Sequence, residues 1–240
     1  PPPRQAPRQP DPPPPDSEVP RRTKRMFRFS TGRLTRLALG LDDAAFQVVA
    51  AHWAVARRSS PGWVRAGIDR GRLAQLPGSD KDSRRSWGTI VRTRKRLVEA
   101  EAMRKVSDAI PPLGAAAGRT AEFEIVAPLV HDHQHGGPRA DIRRLLRAEW
   151  QSLVWSLPPF ALRVGCWLLA RQDPDATFEV ASAEVAQAFN ATEPRAASAI
   201  AALVGPILEE MAPPDPRRRR PGLYRLRPGL LVEGADGPRP

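Results

Sequence analysis

Apolar residues recur at helical spacing early in the chain, and short alternating stretches follow them. The apolar positions on one side of the helix predicted for residues 43–58 are Phe46, Val49, Ala50 and Trp53. Asp42 and Asp43 can cap its start, because a side-chain carboxylate satisfies free backbone N–H groups of the first turn. A run of Ser, Pro and Gly ends the helix, and residues 63–66 form a short predicted strand.

A basic helix with the same periodicity is predicted within residues 79–106, where it runs into a short strand. Its expected buried stripe consists of Trp87, Ile90, Val91, Leu97 and Val98. Asp80 or Asp82 is available as its N-cap. The expected outer face consists of Arg85, Thr89, Arg92 and Arg96, flanked by Ser86, Thr93 and Lys95. We expect no acidic residue on that face.

The outer face of this helix has the chemistry that a DNA duplex requires. Guanidinium groups read guanine edges in the major groove, and Ser or Thr hydroxyls hold phosphates. The alternative interpretation is a solvated charged face, which is the ordinary state of a basic helix. The neighbouring elements therefore have to decide between the two.

These neighbours predict a helix-turn-helix followed by a β-hairpin. A short helix near residues 70–76 leads through a Pro-Gly turn into the basic helix. Beyond it, residues 103–106 and 123–126 can pair as a hairpin. The loop between these two strands carries Arg119.

The last hundred residues repeat this plan. A helix over residues 141–155 precedes an apolar helix, the strand 177–180 and two further helices. The landmarks that set the offset are Phe46 and Phe160, 114 residues apart, and Ala74 and Ala186, 112 residues apart. A nearly constant offset indicates a duplicated fold.

The two copies differ where function is expected to lie. The helix that replaces the basic helix offers Arg195 and Ser198 but otherwise mostly alanine outward. Such a face suits packing against another protein or a second copy of the chain, so we predict that this half supports a dimer. The candidates for phosphate contacts in the loop that follows are Arg217, Arg218, Arg219 and Arg220. A merely solvated run is the alternative.

The charge of the chain favours a polyanionic partner over a small-molecule substrate. The chain carries 38 Lys and Arg against 26 Asp and Glu, a net charge of +12. Residues 1–30 carry +4, residues 31–130 carry +7 and residues 131–240 carry +1. The first two segments therefore hold most of the electrostatic attraction for nucleic acid.

The sequence contains no catalytic motif and no membrane-spanning run. It lacks a GxSxG elbow, an HExxH pair and a phosphate-cradling glycine loop, so we expect neither an enzyme nor a cofactor. No run reaches the roughly 18 apolar residues of a membrane span, so we expect a cytoplasmic protein. Cys166 is the only cysteine, which excludes an internal disulfide, and its apolar neighbours place it in the core.

Residues 128–140 contain three histidines in the order HDHQH. Alternating histidines can bind a transition metal. A histidine pair with a distant tyrosine, here Tyr224, is similar to rolling-circle nickases, which cleave DNA through a tyrosyl phosphodiester. Those enzymes place a bulky hydrophobic residue between the two histidines, whereas polar residues separate them here. We therefore interpret the segment as a polar linker that holds no metal.

The two ends of the chain are predicted to be disordered. Residues 1–20 contain ten prolines and almost nothing apolar, so residues 1–30 are interpreted as a disordered arm. Its basic cluster RRTKRMFRF is suited to steer the protein toward a phosphate backbone, although a solvated tail is the alternative. Residues 233–240 are predicted to form a disordered tail.

The order of elements around LAQLPGSDKDSRRSWGTIVRTRKRLVEAEAMRKV resembles winged-helix DNA-binding domains. The resemblance implies a mainly α fold with short β-hairpins (α+β), built from two winged helix-turn-helix domains in tandem after a disordered proline-rich arm. Domain 1 is expected over residues 31–127 and domain 2 over residues 141–232, with residues 128–140 as the linker.

Two winged helices in tandem resemble the plasmid replication initiators of bacteria, whose domains bind repeated origin sequences and in which one domain also mediates dimerisation. The resemblance implies double-stranded DNA as the partner and a possible dimer through domain 2. It implies major-groove contacts from Arg85, Ser86, Thr89 and Arg92, phosphate contacts from Lys95 and Arg96, and a backbone contact from Arg119. Arg84 and Thr93 complete the predicted DNA-binding set.

Two other functions fit the same sequence. One is a transcriptional regulator that uses domain 2 as an oligomerisation module. The other is an architectural or partner-recruiting protein that binds DNA without sequence preference. Footprinting on a plasmid origin and on a promoter separates the first function from the second, and equal competition by randomised DNA identifies the third.

Overall fold

The protein is an α+β fold in which helices pack around small antiparallel sheets, and this confirms the predicted class. The computed structural model describes residues 26–60, 63–78, 84, 86–108, 120–127, 142–215 and 220–232. The elements of the first half are β1 (Met26–Ser30), α1 (Thr31–Gly40), α2 (Asp43–Val55), β2 (Arg57–Ser60), β3 (Trp63–Gly67), α3 (Arg70–Ala74), α4 (Trp87–Glu99), β4 (Met103–Ser107) and β5 (Glu122–Val126).

The second half follows the same order except that it has no counterpart of β2 among the described residues. Its elements are β6 (Ile142–Leu146), α5 (Arg147–Ser156), α6 (Pro159–Arg171), β7 (Thr177–Val180), α7 (Ser182–Phe189), α8 (Glu193–Leu203), β8 (Leu208–Ala212) and β9 (Gly222–Leu226). The helix predicted over residues 141–155 is wrong in its first turn, because residues 142–146 form a strand that pairs with β1. Tertiary pairing overrides local propensity there.

Side-chain caps fix where α2 and α4 begin. The carboxylate of Asp42 accepts the backbone N–H of Ala45 at 2.8 Å and so starts α2. Ser86 caps the basic helix α4, because its Oγ accepts the N–H of Thr89 at 3.2 Å. The helix begins at Trp87, which corrects the expectation that Asp80 or Asp82 caps it. Both aspartates lie outside the described residues.

The two larger sheets have the same strand order over three strands, and β2 is an additional edge strand of the first. The first is ordered β2-β3-β5-β4 and the second β7-β9-β8, with every neighbour antiparallel. The predicted hairpin of residues 103–106 and 123–126 is confirmed as the β4–β5 pair. In both sheets the strand that follows the last helix is therefore an edge strand.

Strands β1 and β6 relate the two halves by an approximate twofold axis. They pair in antiparallel fashion with Arg28 opposite Arg144, and these two residues are 116 positions apart. The same offset of 116 separates the starts of α1 and α5, and the starts of α2 and α6. Equivalent residues face each other in an antiparallel pair when a twofold axis passes between them. The duplication predicted from landmarks at 112 and 114 residues is thus 116 residues over these elements.

One core joins the two halves, because each half contributes a helix to the other. Helix α1 packs against α6, and α5 packs against α2. Phe27 of β1 stacks on Trp150 of α5 with ring centroids 4.3 Å apart. The indole N–H of Trp150 donates to the carbonyl of Ala50 in α2 at 3.3 Å. The buried apolar side chains of both halves consequently form one continuous cluster.

Candidate nucleic-acid interface

Helix α4 turns a narrower face to the core than its apolar positions indicate. Its buried side chains are Ile90, Thr93 and Leu97. Val91 and Val98 are 46% and 41% exposed, so the predicted stripe is wrong at both valines. Residues 90, 93 and 97 are neighbours on one helical face, and this face packs against the core. Val91 and Val98 lie beside it, on the solvent side.

The outward face of α4 remains basic. Arg92, Lys95 and Arg96 are exposed, and Thr89 is half-buried beside them. Glu99 lies on the same face, where it pairs with Lys95 at 3.9 Å. The expectation of a face without acid is therefore wrong at its C-terminal end. The pair is largely exposed and contributes little to stability, so it leaves Lys95 free to exchange partners.

Arg96 is held by an acid from another helix. Its Nη2 lies 2.6 Å from Oδ2 of Asp42, whose other carboxylate oxygen caps α2. Partial burial raises the pKa of Asp42, but the backbone N–H of Ala45 and the Arg96 guanidinium outweigh it and hold that pKa below its ordinary value. Side-chain exposures of 65% for Arg96 and 44% for Asp42 keep the pair accessible to a competing phosphate.

The remaining predicted DNA-binding residues divide into three groups. Thr93 is 2% exposed, so its side chain belongs to the core. Arg84 and Ser86 are exposed before α4, although Arg84 Nη1 already donates to the carbonyl of Gln75 at 2.7 Å. Arg220 is exposed after β8. The predicted residues that lie outside the described part of the chain are Arg85, Arg119, Arg217, Arg218 and Arg219.

Arg94 is an arginine of α4 that the sequence did not single out. Its guanidinium carbon lies 4.5 Å from the ring centre of Phe123 and 5.9 Å from that of Trp87. Its Nη2 lies 3.0 Å from Nε2 of His52. Burial lowers the pKa of Arg94 to about 10. No local pattern distinguishes this arginine from its exposed neighbours, because its burial depends on the hairpin that folds over it.

His52 of α2 is the hydrogen-bond partner of Arg94. The residue is fully buried, and its Nδ1 lies 2.6 Å from the carbonyl of Val48, so Nδ1 carries the proton and Nε2 accepts from Arg94. Burial first, and the Arg94 charge second, lower the pKa of His52 to about 3. The core thus holds α4 through a neutral histidine and a charged arginine.

In the second half, α8 presents a nearly uncharged surface. Its exposed alanines include Ala197 and Ala201, in agreement with the alanine-rich face expected from sequence. Its exposed base, Arg195, forms an ion pair with Asp43 and lies over the ring of Phe160 at 4.3 Å. The acid Glu209 on β8 pairs with Arg225 at 2.8 Å. Among the described residues of this half, no helix therefore presents a basic face like that of α4.

A cleft of about 1150 Å³ lies between α8, the turn from α5 to α6, and the segment before α4. We call it the α8 cleft. Its lining includes Trp155, Phe160, Arg84, Arg195 and Ala201. The α8 cleft therefore combines aromatic and apolar walls with guanidinium groups.

The described residues contain nothing that supports metal or tyrosine chemistry. Among them, no group of three His, Cys, Asp or Glu side chains comes close enough to hold a metal ion. The HDHQH segment lies outside them. Tyr224 is 3% exposed in β9, and burial raises the pKa of its hydroxyl, so it is poorly placed as a nucleophile. Cys166 is buried, as expected, and burial raises the pKa of its thiol.

Comparison of the chain with protein-family models, with curated proteins and with solved structures finds no match. In the part of the chain that the structure describes, no helix is both long and apolar enough to cross a bilayer.

Proposed function

We propose that the protein binds double-stranded DNA through two winged helices in tandem and reads sequence with α4. The observation that carries the proposal is the path from α2 through β3, α3 and α4 to the hairpin β4–β5, with β5 lying between β3 and β4 in the sheet. This is the element order of a winged helix-turn-helix, whose second helix enters the major groove. The path from α6 to β9 repeats it, with β9 between β7 and β8.

The chemistry of α4 supports base reading at its outward face. Arg92 is exposed, and no described residue forms an ion pair with it. Its guanidinium is therefore available to donate two hydrogen bonds to a guanine. Lys95 and Arg96 lie one turn further along, where phosphate oxygens can replace Glu99 and Asp42 as their partners.

The biological role that we propose is initiation of plasmid replication, which follows from the resemblance of the tandem arrangement to plasmid initiators. The shared core supports this role, because it fixes the spacing between the two winged helices and so favours a site of fixed length. Transcriptional regulation and non-specific architectural binding are the alternatives. Both use the same surface on α4, so the DNA sequence that the protein selects decides among them.

Selection of bound fragments from a random duplex library tests the proposal. We expect an enriched motif, and Arg92→Ala is expected to lose about 1 to 3 kcal/mol of discrimination at one of its positions. The matched control is Arg36→Ala, which removes the same charge from the exposed side of α1, outside both winged helices. The proposal is wrong if no motif is enriched, or if both variants weaken all sequences equally.

A further inference from the structure

The α8 cleft has walls of the kind that hold proline-rich peptides. Trp155, Pro158, Pro159 and Phe160 line one side, and the exposed face of α8 with Ala201 lines the other. Its volume of about 1150 Å³ exceeds the roughly 300 to 1000 Å³ that is usual for small-molecule sites. Grooves lined by aromatic side chains recognise extended proline segments, because such segments lose little conformational entropy on binding.

The charges around the α8 cleft favour an acidic occupant. Asp43 lies in the cleft between two guanidiniums, with Arg163 Nη1 at 2.6 Å and Arg195 on its other oxygen. Arg84 also lines the cleft. Two guanidiniums therefore pair with the one carboxylate and a third lies in the same cleft, so the local excess of positive charge attracts an anion.

The same chain contains a segment that matches both properties. Residues 11–18 read DPPPPDSE, with four consecutive prolines, three acids and no base. We propose that residues 11–16 of this segment occupy the α8 cleft in the polyproline II conformation. The prolines pack on Trp155, and the two aspartates face Arg84 and Arg195.

The length of the chain permits this docking. Met26 pairs with Leu146, directly before α5, and α5 leads to the cleft over its ten residues, about 15 Å. Met26 therefore lies within roughly 20 Å of Trp155. Nine residues, 17–25, connect Asp16 to Met26, and the ten steps between consecutive Cα atoms span up to about 33 Å when extended. The connection reaches the cleft without any change in β1.

Docking of the arm covers the exposed face of α8. The segment places acidic groups beside the helix that occupies, in the second half, the position of α4. An occupied cleft therefore excludes other polyanions from α8 and leaves the surface of α4 open. The docking itself does not depend on DNA binding, so a failure of the proposed function leaves it standing.

Site-directed photocrosslinking of the full chain tests the inference. Ser17→Cys introduces a thiol next to the segment, and Cys166 is buried, so a benzophenone maleimide labels the new position. We expect illumination to give adducts within one chain, in residues 155–161 and 195–206. Ala201→Trp fills the cleft and is expected to lower the yield of these adducts about tenfold, which corresponds to about 1.4 kcal/mol.

Two further variants keep the result interpretable. Ala197→Trp puts the same ring on an exposed position of α8 that does not line the cleft, and it is expected to leave the adducts unchanged. Pro12→Ser, Pro13→Ser, Pro14→Ser and Pro15→Ser together remove the segment's stiffness without touching the core, and they are expected to lower the yield as Ala201→Trp does. The inference is wrong if the adducts are spread over the surface or form between chains. It is also wrong if neither Ala201→Trp nor the four proline substitutions lower the yield of adducts.

Discussion

Arg94 Nη2 on α4 lies 3.0 Å from Nε2 of His52, a fully buried side chain of α2. The guanidinium also rests on the ring of Phe123 from the hairpin that follows α4. Three elements of the first half, α2, α4 and β5, thus meet at one cation. Because the outward residue Arg92 is only two positions away, the contact that holds Arg94 also fixes the direction in which Arg92 points.

The buried histidine makes the stability of the fold depend on pH. Its pKa is about 3 in the folded protein against an ordinary value of 6.5, so the unfolded chain binds the proton more tightly. The contribution of His52 is therefore complete above pH 6.5 and is lost as the pH falls from 6.5 toward 3. The free energy of unfolding should fall by up to about 1.4 kcal/mol per pH unit in this window.

Urea denaturation at several pH values measures this effect. The control is His52→Gln, whose amide oxygen still accepts from Arg94 but does not titrate. Its free energy of unfolding is expected to fall less steeply than that of the unaltered protein between pH 6.5 and 4. Equal slopes would show that His52 is not held neutral in the folded state.

Removal of either partner at this contact should destabilise the fold more than removal of both. Arg94→Met keeps the volume of the side chain but leaves Nε2 of His52 without a donor, at a cost of about 1 to 3 kcal/mol. His52→Phe leaves the guanidinium without its acceptor. In the double variant neither polar group remains unsatisfied, so the two changes should be coupled by about 1 kcal/mol or more.

A double-mutant cycle by chemical denaturation measures this coupling. The comparison pair is Arg94→Met with Leu226→Ala, since Leu226 is buried in the other half of the molecule. That pair is expected to be additive within about 0.5 kcal/mol. Additivity at Arg94 and His52 as well would contradict a direct interaction between them.

The sequence predicted the order of elements better than their orientation. The hairpin β4–β5 and the start of α2 at Asp42 follow from local rules, because turns, caps and period-two alternation are written in neighbouring residues. The orientation of α4 does not follow from local rules. The sequence predicts Val91 and Val98 to be buried and Thr93 to be exposed, and the reverse is found. Apolar residues cover a wide part of the helix surface, and the elements that pack against the helix decide which part of it is buried.

The exchange of helices between the halves had no local signal. Helix α1 packs against α6, and nothing in the neighbouring residues of α1 specifies that partner. The sequence predicts a helix where β6 lies and a disordered arm over residues 1–30, and both predictions are wrong at this strand pair, because the pairing of β1 (Met26–Ser30) with β6 bridges more than a hundred residues. Arg94 was missed for the same reason. Its burial is a property of Phe123 and His52, which are distant in sequence.

The shared core predicts that both halves unfold together. Trp150 of α5 is fully buried against α2 and Phe27, so Trp150→Ala should cost about 3 to 5 kcal/mol through the cavity that it leaves. Hydrogen exchange of backbone amides in α4 and in α8 should then accelerate by the same factor. Val91→Ala, at an exposed valine of α4, is the control and should leave both rates unchanged. Faster exchange in α8 alone would mean that the halves are independent.

The two carboxylate oxygens of Asp42 have different roles, one structural and one electrostatic. Oδ1 caps α2 through the N–H of Ala45, while Oδ2 binds Arg96. Asp42→Ala removes both contacts and should cost about 1 kcal/mol of stability through the lost cap.

Asp42→Asn keeps a capping oxygen but places an amide or a neutral oxygen against Arg96, which releases the guanidinium for phosphate. We expect this variant to bind duplex DNA more tightly than the unaltered protein at low salt, with a gain that shrinks as salt increases. Titration of labelled duplex by fluorescence anisotropy measures the affinity, and Arg96→Ala in the Asp42→Asn background is the control that should abolish the gain. Asp42→Asn removes the carboxylate that competes with phosphate for Arg96. If the affinity is unchanged in this variant, Arg96 does not contact the DNA backbone.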